Sequence, residues 1–301
     1  MDGDPQVDQR STIAVSISIV HYETPDLLVR CLTALHESEG MESWEVRVVD
    51  NGSRGFDPGA YASIRPNVEV LRNRENRGFA VASNQGLHSA TGRYVLLLNP
   101  DAIVEPNAVA RVVDYLDSHP DVGCATARLV LPDGRLDLAC RRSFPTPAVA
   151  FFRMTLLSRM FPRSRRFGRY NLTYLQEDVE SEIDAPCGAF MMVRSTVVDQ
   201  VGLLDESYFM YGEDLDWAYR IKAAGWRIMY LPTAVVHHVK RASSSRNRER
   251  TIRWFYEAMR HFYNDHYRQT YPGWVSHAVM FAIGLRERVE LIWCRVTRAI
   301  Q

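Results

Sequence analysis

Residues 94–104 read YVLLLNPDAIV, in which five apolar residues come directly before the polar turn Asn99-Pro100-Asp101. A strand without a polar face is typical of a parallel sheet that is covered on both sides. In an open α/β sheet, ligands bind beyond the carboxyl ends of the strands. The segment therefore predicts a central buried strand, and it predicts that Asn99 and Asp101 lie where a ligand binds.

Similar segments precede this strand. IAVSISIV (13–20), EVRVVD (45–50) and VEVLRN (68–73) are short and rich in β-branched residues, and a helical pattern of apolar residues follows the first at 26–38. Strands that alternate with helices predict an α/β fold with a mostly parallel, doubly wound sheet and helices on both faces. We expect the polar residues after each strand to meet at one edge of this sheet.

The composition is that of a globular protein, with 46% hydrophobic and 24% charged residues among 301 and a formal net charge of zero. A neutral chain has no global field that attracts nucleic acid, so we expect no nucleic-acid partner. Five scattered cysteines without a CxxC pair, and an N-terminus without a secretory signal pattern, predict a cytoplasmic protein. The apolar run 274–285 is shorter than the roughly 20 residues that a membrane-spanning helix needs.

Charge is unevenly distributed in the second half of the chain. Residues 141–170 contain eight arginines and no acidic residue, interleaved with phenylalanine, leucine and methionine. Residues 246–301 are also rich in arginine and helical in pattern. Each basic residue near an anionic membrane contributes roughly 1 kcal/mol, so both segments predict contact with a membrane surface or an anionic acceptor. The alternative is a solvated basic face.

Two carboxylates follow predicted strands. Asp50 can accept a hydrogen bond from the imide N–H of a pyrimidine base, and an Asx turn that ends the strand is an equal alternative. Asp101 can hold Mg²⁺ or Mn²⁺ against a diphosphate, because hard cations prefer carboxylate and phosphate oxygens. It can also cap the helix predicted to follow it. Neither residue decides a function alone.

Two further pairs carry possible chemistry. Glu213 and Asp214 open a predicted helix whose aromatic neighbours can shield a general base, although acidic residues also cap helices. His237 and His238 follow a strand, and either imidazole can bind a metal or a phosphate. The alternative for the histidines is an ordinary surface pair, and the sequence does not choose between them.

Seven segments, in order, resemble the family 2 glycosyltransferases of bacteria, in particular the branch of rhamnosyltransferases of cell-envelope polysaccharide synthesis. They cover about residues 13–245. The segments are VSISIVHYETPDLLVRCLTAL, VRVVDNGS, NRENRGFAVASNQGL, YVLLLNPDAIV, APCGAFMMVR, VGLLDESYFMYGEDLDWAYRIKAAGW and YLPTAVVHHV. The resemblance implies a GT-A fold with a Rossmann-like sheet, a nucleoside-diphosphate sugar donor, Mg²⁺ or Mn²⁺, and inversion at the anomeric carbon.

The resemblance also implies roles for residues around the donor. The residues expected to bind it are His21, Tyr22, Thr24, Asp50, Asn76, Gly78, Asn84, Asn99 and Asp101. Asp101 and His238 are the expected metal ligands. One departure is plain, because Asn99 stands where the family's Asp-x-Asp motif has its first acid. Its amide oxygen can contact a metal but adds no negative charge.

On the acceptor side, the resemblance implies that Gly188 and Ala189 contact the acceptor, and we expect Trp217 to contact it as well. Asp214 matches the catalytic base, with Glu213 beside it. The expected domains are a polar tail at 1–12, a glycosyltransferase domain at 13–245 and a basic helical extension at 246–301 that can meet a membrane. Within the domain, residues 13–120 form the nucleotide-binding half, and residues 121–245 form the acceptor and catalytic half with the basic insertion 141–170.

The expected activity is the transfer of L-rhamnose from dTDP-rhamnose to a saccharide or lipid-diphosphate-linked acceptor at the inner face of the cytoplasmic membrane. The alternatives are transfer from another UDP- or GDP-sugar, nucleotidyl transfer, or a non-catalytic module that binds sugar nucleotides or membranes. The sequence leaves open whether the chain is a monomer or a homodimer.

Overall fold

The computed structural model describes residues 12–62, 64, 68–240 and 248–300. The predicted tail at 1–12, apart from residue 12, and the predicted boundary at 245 lie outside these ranges. The strands are β1 (Val15–His21), β2 (Trp44–Asp50), β3 (Val68–Arg72), β4 (Tyr94–Leu98), β5 (Ala102–Val104), β6 (Val122–Val130), β7 (Ser181–Glu182), β8 (Phe190–Arg194) and β9 (Arg227–His238). The helices are α1 (Pro25–His36), α2 (Gly59–Ala62), α3 (Phe79–Leu87), α4 (Ala108–Ser118), α5 (Pro147–Met154), α6 (Leu157–Met160), α7 (Ser195–Val201), α8 (Glu213–Ala223), α9 (Arg248–His266) and α10 (Gly273–Ile300).

One sheet joins the strands in the order β3-β2-β1-β4-β8-β6-β9-β5, with β7 paired to β9. The pairs among β3, β2, β1 and β4 are parallel, as predicted. β8 runs antiparallel to both β4 and β6, whereas β9 is parallel to β6. The α/β fold is confirmed, and the antiparallel β8 separates two parallel groups. His21 pairs with Asp50 in the register, so β1 and β2 end at the same edge.

The first strands are covered on both faces. Every residue of β4 is at most 3% exposed, which confirms the central buried strand. On β1, Ser18 lies against α3, where a Cβ at Gly86 would stand 2.1 Å from Ser18 Oγ. The neighbouring Ile17 and Ile19 point to the opposite face and are at most 1% exposed. The glycine therefore lets α3 pack directly on the strand.

The C-terminal helices α9 and α10 pack against each other. A second apolar cluster joins them to the loop before α8, because it contains Tyr208 of that loop together with Phe262 and Tyr263 of α9, and Val279 of α10 packs against it. The predicted helical extension is thus fastened to the loop that leads to Glu213. Among the described residues, no helix combines the length and the apolar character needed to cross a bilayer.

The predicted basic insertion at 141–170 is only partly a surface. Arg141 is 1% exposed and donates hydrogen bonds to the backbone oxygens of Leu175 and Gln176. Arg142 is 9% exposed. The sequence analysis assigned both to a basic face, and this is wrong, because a guanidinium can enter the interior where carbonyl or carboxylate oxygens accept its protons. The remaining arginines of the segment lie on and after α5.

Candidate active site

A cleft of about 1540 Å³ opens at the carboxyl ends of β1 and β4 and beside the end of β9. The loop before α8 and the first turns of α9 form its other walls. Most of the predicted site residues line this cleft although they come from distant parts of the chain. They are Tyr22, Thr24, Asn76, Gly78, Asn99, Asp101, Gly188, Ala189, Glu213, Asp214 and His238.

His21 and Asp50 do not line the cleft but form a buried pair at the end of β1 and β2. Thr24 N–H donates to His21 Nε2 at 3.1 Å, so the ring proton lies on Nδ1, which contacts Asp50 Oδ1 at 3.1 Å. Burial lowers the pKa of His21 and favours this neutral form. The structure does not bring His21 to the donor as expected, because both of its ring nitrogens are already bound to Asp50 and to Thr24. Asp50 Oδ2 is buried without a hydrogen-bond partner in the described structure.

Asn51 shapes the loop that carries Asn76 and Gly78. Its Nδ2 donates to Asn76 Oδ1 at 3.1 Å and to the Gly78 oxygen at 3.0 Å. Its Oδ1 accepts from Asn73 Nδ2 and from Arg77 N–H, each at 3.0 Å. One buried amide therefore fixes four points of the loop. In the sequence, Asn51 follows β2 in the Asp50-Asn51-Gly52 turn and has no other mark.

Gly78 brings this loop against the loop before α8. Its φ of +89° lies in the left-handed region, and a Cβ there would stand 2.5 Å from the Phe209 oxygen. Beside it, Phe79 N–H donates to the Phe209 oxygen at 2.7 Å. The resemblance assigned Gly78 to a close approach of the diphosphate. In the structure, the group that approaches this glycine is the Phe209 backbone.

Two predicted site residues face elsewhere. Asn84 exchanges hydrogen bonds with Leu204 N–H and oxygen at 3.1 and 2.9 Å and also contacts Glu206, so it fastens that segment rather than lining the cleft. Trp217 is completely buried and donates through Nε1 to the Gly202 oxygen at 2.9 Å. The structure does not bring Asn84 to the donor side or Trp217 to the acceptor side of the cleft, because each side chain lies on the core-facing side of its helix.

His238 joins two carboxylates at the end of β9. Its Nδ1 lies 2.8 Å from Asp137 Oδ2, and its Nε2 lies 3.4 Å from Asp101 Oδ1. Lys240 Nζ donates to the other oxygen of Asp137 at 2.6 Å. Burial alone would lower the pKa of His238, but the hydrogen bonds to Asp101 and Asp137 outweigh burial and raise the pKa to about 9. The same contacts hold the pKa of Asp137 well below its usual range.

The alternation of β9 separates the two histidines that the sequence left undecided. His238 is 7% exposed and lines the cleft. His237 points to the other face, where its side chain is 56% exposed and lies 3.3 Å from Glu105 Oε1. Geometry therefore favours His238 as the residue that meets a metal or a phosphate.

Asp214 is held by three donors, two of which come from distant parts of the chain. Its Oδ2 accepts from Arg142 Nη2 at 2.8 Å and from Gly188 N–H at 3.1 Å, and its Oδ1 accepts from Leu215 N–H at 2.7 Å. Burial would lower the pKa of Arg142, but the charge of Asp214 outweighs burial and raises it. Both side chains are about nine-tenths buried. The result is a rigid, shielded ion pair in the wall of the cleft.

Glu213 has a different environment although it is the next residue. Burial, together with the charge of Asp214, raises the pKa of Glu213 to about 8. Its Oε2 is buried and has no hydrogen-bond partner among the described residues. At neutral pH Glu213 is therefore mostly protonated, and Asp214 carries the negative charge of the pair.

Comparisons with known proteins identify the family of this chain. Residues 13–257 match the family described as "Glycosyltransferase like family 2". The chain belongs to this glycosyltransferase family. Its relatives include the N-acetylglucosaminyl-diphospho-decaprenol L-rhamnosyltransferase of Mycobacterium tuberculosis, 29% identical over 214 residues that span 67% of this chain and 68% of that one. Rhamnosyltransferase WbbL of Escherichia coli is 25% identical over 183 residues, which span 60% of this chain and 65% of WbbL.

Solved structures of glycosyltransferases have the same fold. The mannosyltransferase PcManGT from Pyrobaculum calidifontis, in complex with GDP-Man and Mn²⁺, has a TM-score of 0.58 and 19% identity, covering 95% of this chain and 74% of PcManGT. GalNAc-T7 with UDP, GalNAc and Mn²⁺ also has a TM-score of 0.58, with 17% identity, and the match covers 83% of this chain and half of that one. At such identities the likeness establishes the GT-A fold alone, as the resemblance implied.

The Asp101–His238 pair of this glycosyltransferase suits a divalent cation. A carboxylate oxygen and an imidazole nitrogen face each other, and both residues line the cleft. Asp137 orients the imidazole through Nδ1, as carboxylates commonly do for histidines that bind metals. Because a ligating histidine must be neutral, metal binding would release the proton from Nε2. The carboxylate oxygen suits both Mg²⁺ and Mn²⁺, and the imidazole nitrogen suits Mn²⁺ better.

Sequence reasoning missed three charged residues of this glycosyltransferase site. Arg142 was one of eight arginines in a basic segment, and nothing local distinguishes it from the others. Asp137 lies 101 residues from His238 in the chain, and Lys240, which also lines the cleft, donates to Asp137. The Pro-Asp-Gly turn that precedes Asp137 gave no signal of a functional acid.

Proposed function

We propose that this glycosyltransferase is an inverting enzyme that transfers a sugar from a nucleoside diphosphate to an acceptor hydroxyl, with Asp214 as the general base. The observation that carries the proposal is the presence in one cleft of two centres with different chemistry. One is the Asp214 carboxylate held by Arg142, and the other is the Asp101–His238 pair. The first suits the uptake of a proton, and the second suits the binding of a diphosphate and a divalent cation.

The reaction is a single displacement. The acceptor oxygen attacks C1 of the sugar, the bond from C1 to the diphosphate oxygen breaks, and its electron pair leaves with the nucleoside diphosphate. Asp214 takes the acceptor proton, for which Oδ1 keeps a lone pair beside its bond to Leu215 N–H. Arg142 and Gly188 N–H hold Oδ2, so the carboxylate does not rotate away from the attacking oxygen.

Charge on the departing diphosphate is the main electrostatic problem of this reaction. Asp101 and His238 would hold Mg²⁺ or Mn²⁺, and a bound cation supplies Lewis-acid stabilisation of the phosphate oxygens. Lys240 adds a fixed positive charge, because Asp137 holds it beside His238. Glu213, when protonated, adds no negative charge to the cleft that would repel the diphosphate.

The donor and acceptor follow from the relatives. Two of them are named rhamnosyltransferases, and the mycobacterial one is named for a diphospho-decaprenol substrate. We infer L-rhamnose from dTDP-rhamnose as the sugar, and a lipid-diphosphate-linked saccharide of envelope synthesis as the acceptor. Such an acceptor would place the enzyme at the inner face of the cytoplasmic membrane. Asp50 Oδ2, which makes no hydrogen bond in the described structure and lies 3.5 Å from Arg72 Nε, is the group that would accept the imide N–H of a thymine or uracil base.

The test is release of nucleoside diphosphate from dTDP-rhamnose, UDP-sugars and GDP-sugars, with and without Mn²⁺ or Mg²⁺. We expect metal-dependent release of dTDP, about 10-fold or more above the other donors. NMR of the product should give the opposite anomeric configuration to the donor. Preference for another donor would overturn the sugar assignment. Release of pyrophosphate would indicate nucleotidyl transfer, and donor binding without release on any acceptor would indicate a binding module.

A further inference from the structure

α10 turns a long apolar stripe away from the rest of the protein. Trp274 is 75% exposed, Phe281 72% and Ile292 61%, and Leu285 and Val296 are about half exposed. These five positions are separated by seven, four, seven and four residues, so they lie on one face of the helix. At 1.5 Å per residue the stripe is about 33 Å long. Nothing in the described structure covers it.

The charges of α10 are arranged asymmetrically around this stripe. Arg288 and Arg295 are exposed beside it, and Arg295 also lies 3.4 Å from Glu249 of α9. Of the two glutamates of the helix, Glu287 pairs with Arg260 of α9, and Glu290 pairs with Arg286 and hydrogen-bonds Tyr256 of α9. The side of the helix next to the stripe therefore carries arginines, whereas both glutamates have basic partners elsewhere. Apolar side chains with flanking arginines and tryptophan are typical of a helix that lies in the interface of a bilayer.

The segment around α5 and α6 has the same character at another place on the rim of the cleft. Phe151 is 57% exposed and Met160 68%, and the arginines between and after them are exposed. The segment ends at Tyr170, which lines the cleft, and α10 contributes Cys294 and Thr297 to the same cleft. Both apolar, basic segments thus reach the site where the acceptor must enter.

We propose that the outward face of α10 docks on an anionic lipid bilayer and, with α5 and α6, holds the mouth of the cleft at the level of the lipid headgroups. This position would let an acceptor that carries a lipid diphosphate enter the cleft from the membrane, and that part of the proposal rests on the proposed function. A second copy of the chain fits the stripe less well. In a symmetric pair the same faces meet, so Arg288 of one copy would approach the arginines of the other, while both glutamates of α10 are already paired with Arg260 and Arg286. Anionic lipid supplies the missing charge.

The experiment is flotation of the full chain with vesicles of phosphatidylglycerol and phosphatidylcholine, and with vesicles of phosphatidylcholine alone. We expect the wild type to float with the anionic vesicles and to bind the neutral ones at least about 10-fold more weakly. The double variant Phe281→Glu, Ile292→Glu should lose at least about 10-fold in affinity for anionic vesicles. Val29→Glu on α1 is the matched control, because Val29 is also an exposed apolar helix residue, and it should bind as the wild type does.

The proposal would be overturned if the wild type stayed at the bottom of the gradient instead of floating with the anionic vesicles. It would also be overturned if the double variant floated as well as the wild type. A wild-type dimer that the double variant converts to monomers in light scattering, without vesicle binding by either, would assign the stripe to a second copy. Transfer to a short-chain, water-soluble acceptor separates this result from the proposed function. The double variant should keep wild-type turnover there, because neither residue lines the cleft.

Discussion

The carboxylates at the start of α8 and the cluster at the end of β9 share one cleft, yet each accommodates buried charge in its own way. At α8, one carboxylate is ionised against Arg142, and the pKa of the other rises to about 8. At β9, Asp101 and Asp137 surround His238, whose pKa rises to about 9, and Lys240 joins them. The first arrangement keeps a single negative charge ready for a proton. The second balances the two carboxylates with two cations, His238 and Lys240. A bound metal would add positive charge there, and this would favour the binding of a diphosphate.

The largest expected effect comes from removing the proton acceptor at α8. Asp214→Asn should lower turnover by about 10²–10⁴-fold, because an amide cannot take the acceptor proton. Donor affinity, measured by calorimetry with the nucleoside diphosphate and Mn²⁺, should stay within about twofold, since the diphosphate meets the other centre. Near-normal turnover in this variant would remove Asp214 from the role of base.

A somewhat smaller effect is expected from the guanidinium that holds this carboxylate. Arg142→Met should lower turnover by about 10²-fold, because a carboxylate that is free to rotate misses the attacking oxygen. Loss of one partner from a buried ion pair also costs about 3–5 kcal/mol of stability, so turnover is measured per folded molecule below the melting temperature.

Arg141→Met is the matched control, because Arg141 is also buried but donates only to backbone carbonyls among the described residues. It should lose stability while its turnover per folded molecule remains near the wild-type value. Arg142→Lys should recover part of the turnover. Equal turnover losses in the Arg141 and Arg142 variants would mean that both residues act only through the fold.

The β9 centre is tested by the carboxylate that orients its histidine. Asp137→Asn should weaken the binding of Mn²⁺ with nucleoside diphosphate by about 10–100-fold, as expected when a carboxylate behind a histidine ligand is lost. Asp265→Asn is the control for the other place where a metal could bind, because Asp265 forms a possible metal-binding group with Asp205 and His261 and does not line the cleft. Calorimetry and Mn²⁺ electron paramagnetic resonance measure both. A similar loss in the control would move the metal away from Asp101 and His238.

The smallest effect is expected in the pH dependence of stability. The folded protein holds a proton on Glu213 up to about pH 8, whereas an unfolded glutamate loses it near pH 4.5. The stabilising contribution of this proton is therefore complete below pH 4.5 and is lost as the pH rises to about 8. Glu213→Gln, which mimics the protonated form, should melt closest to the wild type at pH 5, the acid end of the measured range.

At pH 8 and above, the Gln variant should be the more stable protein by about 1 kcal/mol or more, or roughly 2–4 °C in Tm for each kcal/mol. Thermal melting from pH 5 to 9 measures the difference. A gap between the two proteins that does not change with pH would mean that Glu213 is ionised throughout.

Local pattern predicted most of the fold and many of the cleft residues. The apolar runs gave β1, β2 and β4, and because parallel strands end at one edge, Tyr22, Asn99 and Asp101 came together as expected. The antiparallel course of β8 has no signature in its sequence, because a short apolar run fits either direction. The family resemblance, rather than periodicity, supplied the roles assigned to Asp214 and His238.

The missed and misplaced residues depend on contacts between distant segments. Arg142 reaches Asp214 across 72 residues, and no spacing in the chain marks one arginine of the basic segment as interior. Asn84 and Trp217 lie in the motifs that carry the resemblance, but which helix face turns inward is decided by the segments packed against it. The motifs therefore showed which segments lie near the site, but they did not show which of their side chains point into the cleft.

The contact between Gly78 and Phe209 has an evolutionary consequence. The atom nearest to a Cβ at position 78 belongs to the backbone of residue 209, which every amino acid possesses. A smaller side chain at 209 would therefore not make room for alanine at 78, and the positive φ would remain unfavourable. Suppressors of a Gly78 substitution must shift a main chain, so position 78 can change only together with the path of the whole neighbouring loop.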